Sequence, residues 1–231
     1  MSKILFVGAG NMGQAIINGM LSKGQYQKED IAFYEIDPTI KKSVASKFGI
    51  ASLEKLDTNL AQFDIIVVAV KPQVFKNFKN DRSMDGLVNF INKDCVVVSI
   101  MAGVTISELQ SYFGNDKQII RVMPNTPSLV GYGASVLSTS QAVSKQKIDI
   151  IKGIFLSIGI VEVVDERYLD AVTGLSGSGP AYVFIFIESL IQGGILCGLS
   201  KELSEKLAIQ TVLGSAMMAS HKDKSIEELR H

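Results

Sequence analysis

Lys3-Ile4-Leu5-Phe6-Val7-Gly8-Ala9-Gly10-Asn11-Met12-Gly13 decides the fold. Residues 3–7 form a short β-type run that breaks straight into glycines spaced G-x-G-x-x-G. A helical pattern follows through Ile16, Ile17, Met20 and Leu21 and stops at Gly24. The spacing alone is weak evidence. A strand before it, a helix after it and an acid at the end of the next strand give it meaning. Gly8 permits the tight turn, and Gly10 lets the backbone approach a pyrophosphate. Gly13 lets the helix sit against the strand, so that its N-terminus faces the phosphates. Val7, Gly8, Ala9, Gly10, Asn11, Met12 and Gly13 are therefore the expected dinucleotide cradle. Glu35 ends the second strand, with Asp37 two residues on. A carboxylate there can accept from the ribose 2′-OH of NAD and repels the 2′-phosphate of NADP. Lys41 and Lys42 are near enough to keep NADP open, and either acid can instead be a solvated turn residue.

Outward from this loop, 31–36 reads as the second strand, and Pro38 opens a helix that closes at Gly49. Residues 64–70 are a continuous β-branched run, the mark of a strand covered on both faces, and 95–100 and 118–123 repeat it. Short strands follow at 134–137 and 160–164. Between them Ile148, Ile151, Phe155 and Ile158 mark one face of a helix. Such alternation predicts an α/β fold: an N-terminal Rossmann-type, doubly wound, mostly parallel sheet with right-handed crossovers. After Asp165 the strand signals stop, and a smaller all-α dimerisation domain is expected. The division falls at 1–164 and 165–231. One of the C-terminal helices begins near Ser200 and carries small residues that would let another helix approach closely.

Composition narrows the function. Lys plus Arg and Asp plus Glu both number 23 in 231 residues, so no net field favours nucleic acid or an anionic membrane surface. Cys95 and Cys197 sit in apolar surroundings without paired spacing and read as buried, reduced thiols. His221 and His231 lie in a polar tail, and no metal site is expected. Residues 1–7 are too short for a signal peptide. The stretch 181–199 has a single charge, Glu188, but also Gln192 and a glycine pair, and it lacks basic flanks on its N-terminal side. It reads as a buried or subunit-interface helix of a soluble, cytoplasmic protein, with no membrane partner.

Further chemistry clusters at strand ends. Ala69-Val70-Lys71-Pro72 and Met101-Ala102-Gly103 close consecutive strands on the sheet's C-terminal edge, where doubly wound folds bind ligands. Ala69, Val70, Lys71, Pro72, Met101 and Ala102 are therefore candidate cofactor contacts, although a strand stop and a turn explain them equally. Thr173-Gly174-Leu175-Ser176-Gly177-Ser178-Gly179-Pro180-Ala181-Tyr182 reads as a helix entry, with Ser178 as the cap and Pro180 in the first turn.

With these segments in place, the chain resembles the pyrroline-5-carboxylate reductases over essentially its whole length. The resemblance rests on Phe6-Val-Gly-Ala-Gly-Asn-Met12, Ala69-Val-Lys-Pro72, Ala102-Gly-Val-Thr-Ile106, Met123-Pro-Asn-Thr-Pro127 and, above all, Asp170 through Tyr182. It implies hydride transfer from NADPH or NADH to the C=N carbon of a small cyclic imine, 1-pyrroline-5-carboxylate, giving proline. It also implies a Rossmann domain followed by a helical domain that intertwines with a second subunit in a homodimer, commonly assembled into a decamer. Lys71 and Thr173 are the catalytic candidates, and Glu166 and Ser178 the substrate-binding ones. In the family a loop of Ser-Pro-Gly-Gly-Thr type follows a segment like Glu228-Leu229-Arg230. It holds the substrate carboxylate and offers a threonine hydroxyl to the ring nitrogen. This sequence stops at His231, just short of it, so part of the expected site is not in it. A dinucleotide-binding protein with lost or impaired catalysis is therefore the alternative. A hydroxy-acid dehydrogenase is a weaker rival, because 178–199 holds no Lys or His to act as general acid.

Overall fold

The computed structural model describes residues 2–81, 85–221 and 223–230. Among these, the strands are β1 (Ile4–Val7), β2 (Ile31–Tyr34), β3 (Ala51–Leu53), β4 (Ile65–Val68), β5 (Val96–Ser99), β6 (Gln118–Met123), β7 (Gly133–Thr139) and β8 (Gly159–Val163). The helices are α1 (Asn11–Ser22), α2 (Pro38–Phe48), α3 (Pro72–Asp81), α4 (Asp85–Asn89), α5 (Ile106–Phe113), α6 (Lys145–Leu156), α7 (Leu169–Val172), α8 (Gly179–Leu196), α9 (Lys201–Ser220) and α10 (Ile226–Arg230). Close packing divides the chain into two units, Met1–Gly177 and Ser178–His231.

In the first unit one sheet runs β3-β2-β1-β4-β5-β6-β7-β8. All neighbours are parallel except β6 and β7. The link between those two is a short 3-10 turn, Thr126–Val130, closed by Gly131 at φ 80°. It is shorter than the roughly dozen residues that a parallel crossover needs, so the chain turns back and runs antiparallel. Every residue of β1, β4 and β5 is buried, as their near-continuous apolar composition predicts. Alternate side chains feed two apolar layers. Ile4 and Phe6 join Ile16, Ile17 and Met20 of α1 and Phe155 of α6. Leu5 and Val7 join Phe75 of α3 and Leu109 and Phe113 of α5. The strand order reverses between β1 and β4, which sets a crevice at their C-terminal ends.

The second unit is built on the α8–α9 hairpin. Gly198 turns the chain at φ 93°, and Ser200 caps α9 by accepting from the Leu203 N–H. A Cβ on Gly194 would lie 2.6 Å from Ser204 Oγ, so the close approach of the two helices requires glycine there. Only Ser204 and Ala208 are buried within α9, and nothing in α8 is. The helical run Glu166–Leu196 is long and apolar enough to cross a membrane by length and composition. An uncovered subunit face has the same properties.

Two readings need correction. Ser178 makes no side-chain cap bond. A π turn over Thr173–Gly177 delivers the chain to α8 already in helical geometry, with Ser178 at φ −88°, ψ −17°, whereas a capping side chain needs an extended residue. Cys197 is exposed, not buried, because it follows a helix whose faces are bare. The short β3 gave no sequence signal. Cys95 is buried as expected, and burial pushes its thiol up to about 12. Iodoacetamide at mildly alkaline pH should therefore leave Cys95 unmodified in the folded protein and alkylate it on unfolding. Labelling of Cys95 in the folded state would contradict this burial.

Candidate functional site

The crevice at the ends of β1, β2 and β4 is a cleft of about 310 Å³, lined by Val7, Gly8, Gly10, Glu35, Val70 and Lys71 among others. Its floor is held by main-chain bonds that extend the sheet. Gly8 N–H donates to the Tyr34 carbonyl at 2.9 Å, and Ala69 N–H donates to the Val7 carbonyl at 2.8 Å. Gly8 lies at φ 91°, and a Cβ there would sit 2.8 Å from the Ala69 carbonyl oxygen, so two constraints demand glycine. Gly10, the N-cap of α1, has no side-chain cap, and a Cβ there would meet nothing within 4 Å. The first-turn N–H groups of α1 thus face open space beside an unobstructed backbone, a shape and polarity that suit a pyrophosphate. Asn11 and Gly13 belong to that first turn, and Met12 packs against the core.

Glu35 sits at this cleft in an unexpected posture. Its Oε2 accepts from the Ala9 N–H at 2.9 Å and its Oε1 from the Asp37 N–H at 3.0 Å. Gln14 Nε2 donates to the Ala9 carbonyl at 2.9 Å, so both sides of the glycine loop's central residue are pinned. The carboxylate is therefore a brace on the loop as well as a negative charge beside it. Asp37 caps α2, accepting from the Thr39 and Ile40 N–H groups, and is thereby accounted for structurally. Glu35→Ser is expected to lower the Michaelis constant for NADPH relative to NADH by on the order of tenfold, as one repulsive charge leaves the ribose end. Steady-state kinetics with both cofactors checks this. An unchanged ratio would reduce Glu35 to a brace.

Lys71 lines the cleft and is exposed, and Pro72 begins α3 beside it. Ala69 and Val70 lie on the same wall. Met101 does not line the cleft. It is buried in the α5-side core, with its N–H on Ser99 Oγ, whereas Ala102 is exposed. Thr173, half-buried at the start of the π turn, donates its hydroxyl to the Leu169 carbonyl at 2.7 Å. Its oxygen keeps lone pairs free to accept.

Two polar side chains that sequence reasoning missed anchor the segment carrying Glu166 and Thr173. Arg121, in mid-β6 and 4 % exposed, reaches Glu166 Oε1 with Nη1 at 3.0 Å. The same Oε1 accepts from the Ile106 N–H at 2.7 Å. Asn125, just beyond β6, donates from Nδ2 to the Ser176 carbonyl at 3.0 Å and accepts from the Ala134 N–H at 2.8 Å. A lone arginine inside an apolar strand run was the available signal, because such a charge stays buried only when paired. Asn125→Ala would leave a buried N–H and a π-turn carbonyl without partners, at a cost of about 2–3 kcal/mol. Urea unfolding measures this loss. A cost near zero would mean that the π turn holds itself.

The family model described as pyrroline-5-carboxylate reductase dimerisation matches residues 166–231, and that described as NADP oxidoreductase coenzyme F420-dependent matches residues 3–103. Pyrroline-5-carboxylate reductase of Glycine max is 39% identical over 225 residues, covering 97% of this chain and 80% of that protein. The Escherichia coli K12 protein of the same name is 38% identical over 216 residues, covering 94% and 78%. Among solved structures, a pyrroline-5-carboxylate reductase from Coxiella burnetii superposes with a TM-score of 0.88 at 33% identity, covering 99% of this chain and 83% of that one. The Plasmodium falciparum pyrroline carboxylate reductase with NADP bound gives a TM-score of 0.83 at 33% identity, covering 99% and 82%.

Proposed function

This chain belongs to the pyrroline-5-carboxylate reductase family, and from that premise we propose that it reduces 1-pyrroline-5-carboxylate to L-proline with NADPH or NADH. The observation that carries the reading is the match to named reductases across 97% of the chain, together with a glycine cradle open at Gly10. The reading of a dinucleotide binder without catalysis is not favoured, because relatives at 34–39% identity over nearly the whole chain bear the reductase name.

A reduced nicotinamide bound in the cradle supplies the hydride. The rest of the work is the chain's own. The α1 N-terminus and Gly10 hold the pyrophosphate, and Glu35 sets the ribose end. Lys71 stands at the mouth of the cleft as a cation that can orient the substrate's carboxylate or the cofactor. Thr173 presents a hydroxyl oxygen that can accept from the second N–H that the ring nitrogen carries as the product ammonium, and Glu166 and Ser178 are further substrate contacts. A protonated imine is already an activated acceptor, so positioning is the main requirement. As carbon takes the hydride, the C=N π pair becomes the nitrogen lone pair.

The protein forms a dimer through its helical region, and the substrate is a small molecule. Assembly of dimers into a decamer, a cytoplasmic location and the absence of any membrane role complete the proposal, with the functional boundary at 164/165. Incubation with racemic pyrroline-5-carboxylate and either cofactor should oxidise the cofactor and yield proline. No oxidation with either cofactor would overturn the reading.

A further inference from the structure

We propose that Arg121 is a positioning residue for substrate, acting through Glu166; the inference rests on the reading of Glu166 as a substrate contact. Arg121 stands in β6 among Ile119, Ile120 and Val122, all buried. A guanidinium cannot shed its charge, so its burial demands a partner. Asp170 Oδ1 lies 3.9 Å from Nη2, but that side chain is 95% exposed and contributes little. Glu166 is therefore the partner that matters, with Oε1 at 3.0 Å.

The manner of pairing points beyond structure. An arginine that serves only to neutralise a carboxylate commonly grips both oxygens with its fork. Here Nη1 from β6 and the Ile106 N–H from the first residue of α5 converge on Oε1 alone. Oε2 has no hydrogen bond among the described residues, and the side chain keeps 30% exposure. A carboxylate held by one oxygen from two rigid elements offers the other in a fixed direction. The substrate of the proposed reaction presents a matching donor, the N–H of a protonated ring imine, and the product presents an ammonium. Arg121 thus sets where Glu166 waits for that N–H without touching the substrate itself.

The test uses Arg121→Met, Arg121→Lys, Glu166→Gln and the double variant Arg121→Met/Glu166→Gln. It measures kcat and KM for pyrroline-5-carboxylate, KM for the cofactor, and L-proline affinity by calorimetry. Arg121→Met should raise the substrate KM and weaken proline binding by on the order of tenfold to a hundredfold. The cofactor KM should stay within about twofold, because the cradle is untouched. Arg121→Lys should recover part of the loss, and the double variant should be no worse than Glu166→Gln. Multiplicative losses in the double variant, or a cofactor KM that rises with the substrate KM, would overturn the proposal. A Glu166→Gln protein with unchanged substrate KM and proline affinity would overturn the reading of Glu166, and this proposal with it. Should Arg121→Met fail to fold, Ile106→Pro removes the other donor on Oε1. The first helical position tolerates proline, and Thr105 at φ −80°, ψ 160° already has the conformation of a residue preceding one. The same rise in substrate KM is expected, and its absence would overturn the proposal.

Discussion

Gly10→Ala is expected to weaken cofactor binding by on the order of a hundredfold, roughly 3 kcal/mol, while costing the fold no more than about 1 kcal/mol. The two halves of this result come from separate observations. Gly10 sits at φ −68°, ψ −175°, an extended geometry that any residue adopts, and a Cβ there meets no atom within 4 Å. The free protein therefore meets no clash, and the modest preference for glycine over alanine at an N-cap is partly offset by a stiffer unfolded chain. The space that the methyl group fills is the approach to the α1 N-terminus, which a pyrophosphate needs. Gly8→Ala should behave differently. At φ 91°, with the Ala69 carbonyl 2.8 Å from the new Cβ, the folded state itself is strained, by about 1–2 kcal/mol from conformation alone. Titration with NADPH beside urea unfolding separates the two variants. Equal destabilisation in both would mean that Gly10 serves the fold and not the ligand.

Phe184→Asp should weaken the dimer at least a hundredfold. Tyr182 to Phe186 are five consecutive large apolar residues between 44% and 65% exposed within one chain. An isolated subunit cannot solvate such a strip without risk of association. A buried Phe side chain is worth about 1.5–3 kcal/mol, and a carboxylate in its place adds a desolvation cost of several more. Sedimentation at low micromolar concentration should show the wild-type protein as a dimer or larger, and the variant as monomer or non-specific aggregate. An unchanged dimer would place the interface on another surface.

How much of this was legible in the sequence depended on whether the deciding contact was local. Gly8 to Gly13 announce themselves because turn, phosphate approach and helix packing all act within a few residues. The predominantly apolar α8 likewise carries its own message. Asp37 before Pro38 is a local signal too, and the capping bonds to Thr39 and Ile40 show what it meant. Glu35 was legible as an acid at the cradle, but not as a brace, because its partner Ala9 lies on another strand's loop. Asn125 gave no sign of being a site residue, and Arg121 showed only as a charge in need of a partner. Their partners Glu166 and Ser176 are distant in sequence and meet them only once β6 is in the sheet. Ser178 misled because the capping rule presumes an extended residue before the helix, and the π turn removes that condition.

The central claim, that this chain reduces the imine carbon of pyrroline-5-carboxylate directly from a nicotinamide held in the Gly8–Gly13 cradle, is tested most directly by isotope transfer. NADPH or NADH carrying deuterium at the transferable position of the nicotinamide should yield proline with one deuterium on the δ-carbon, mole for mole with cofactor oxidised. Unlabelled proline, or cofactor oxidation without proline, would contradict it.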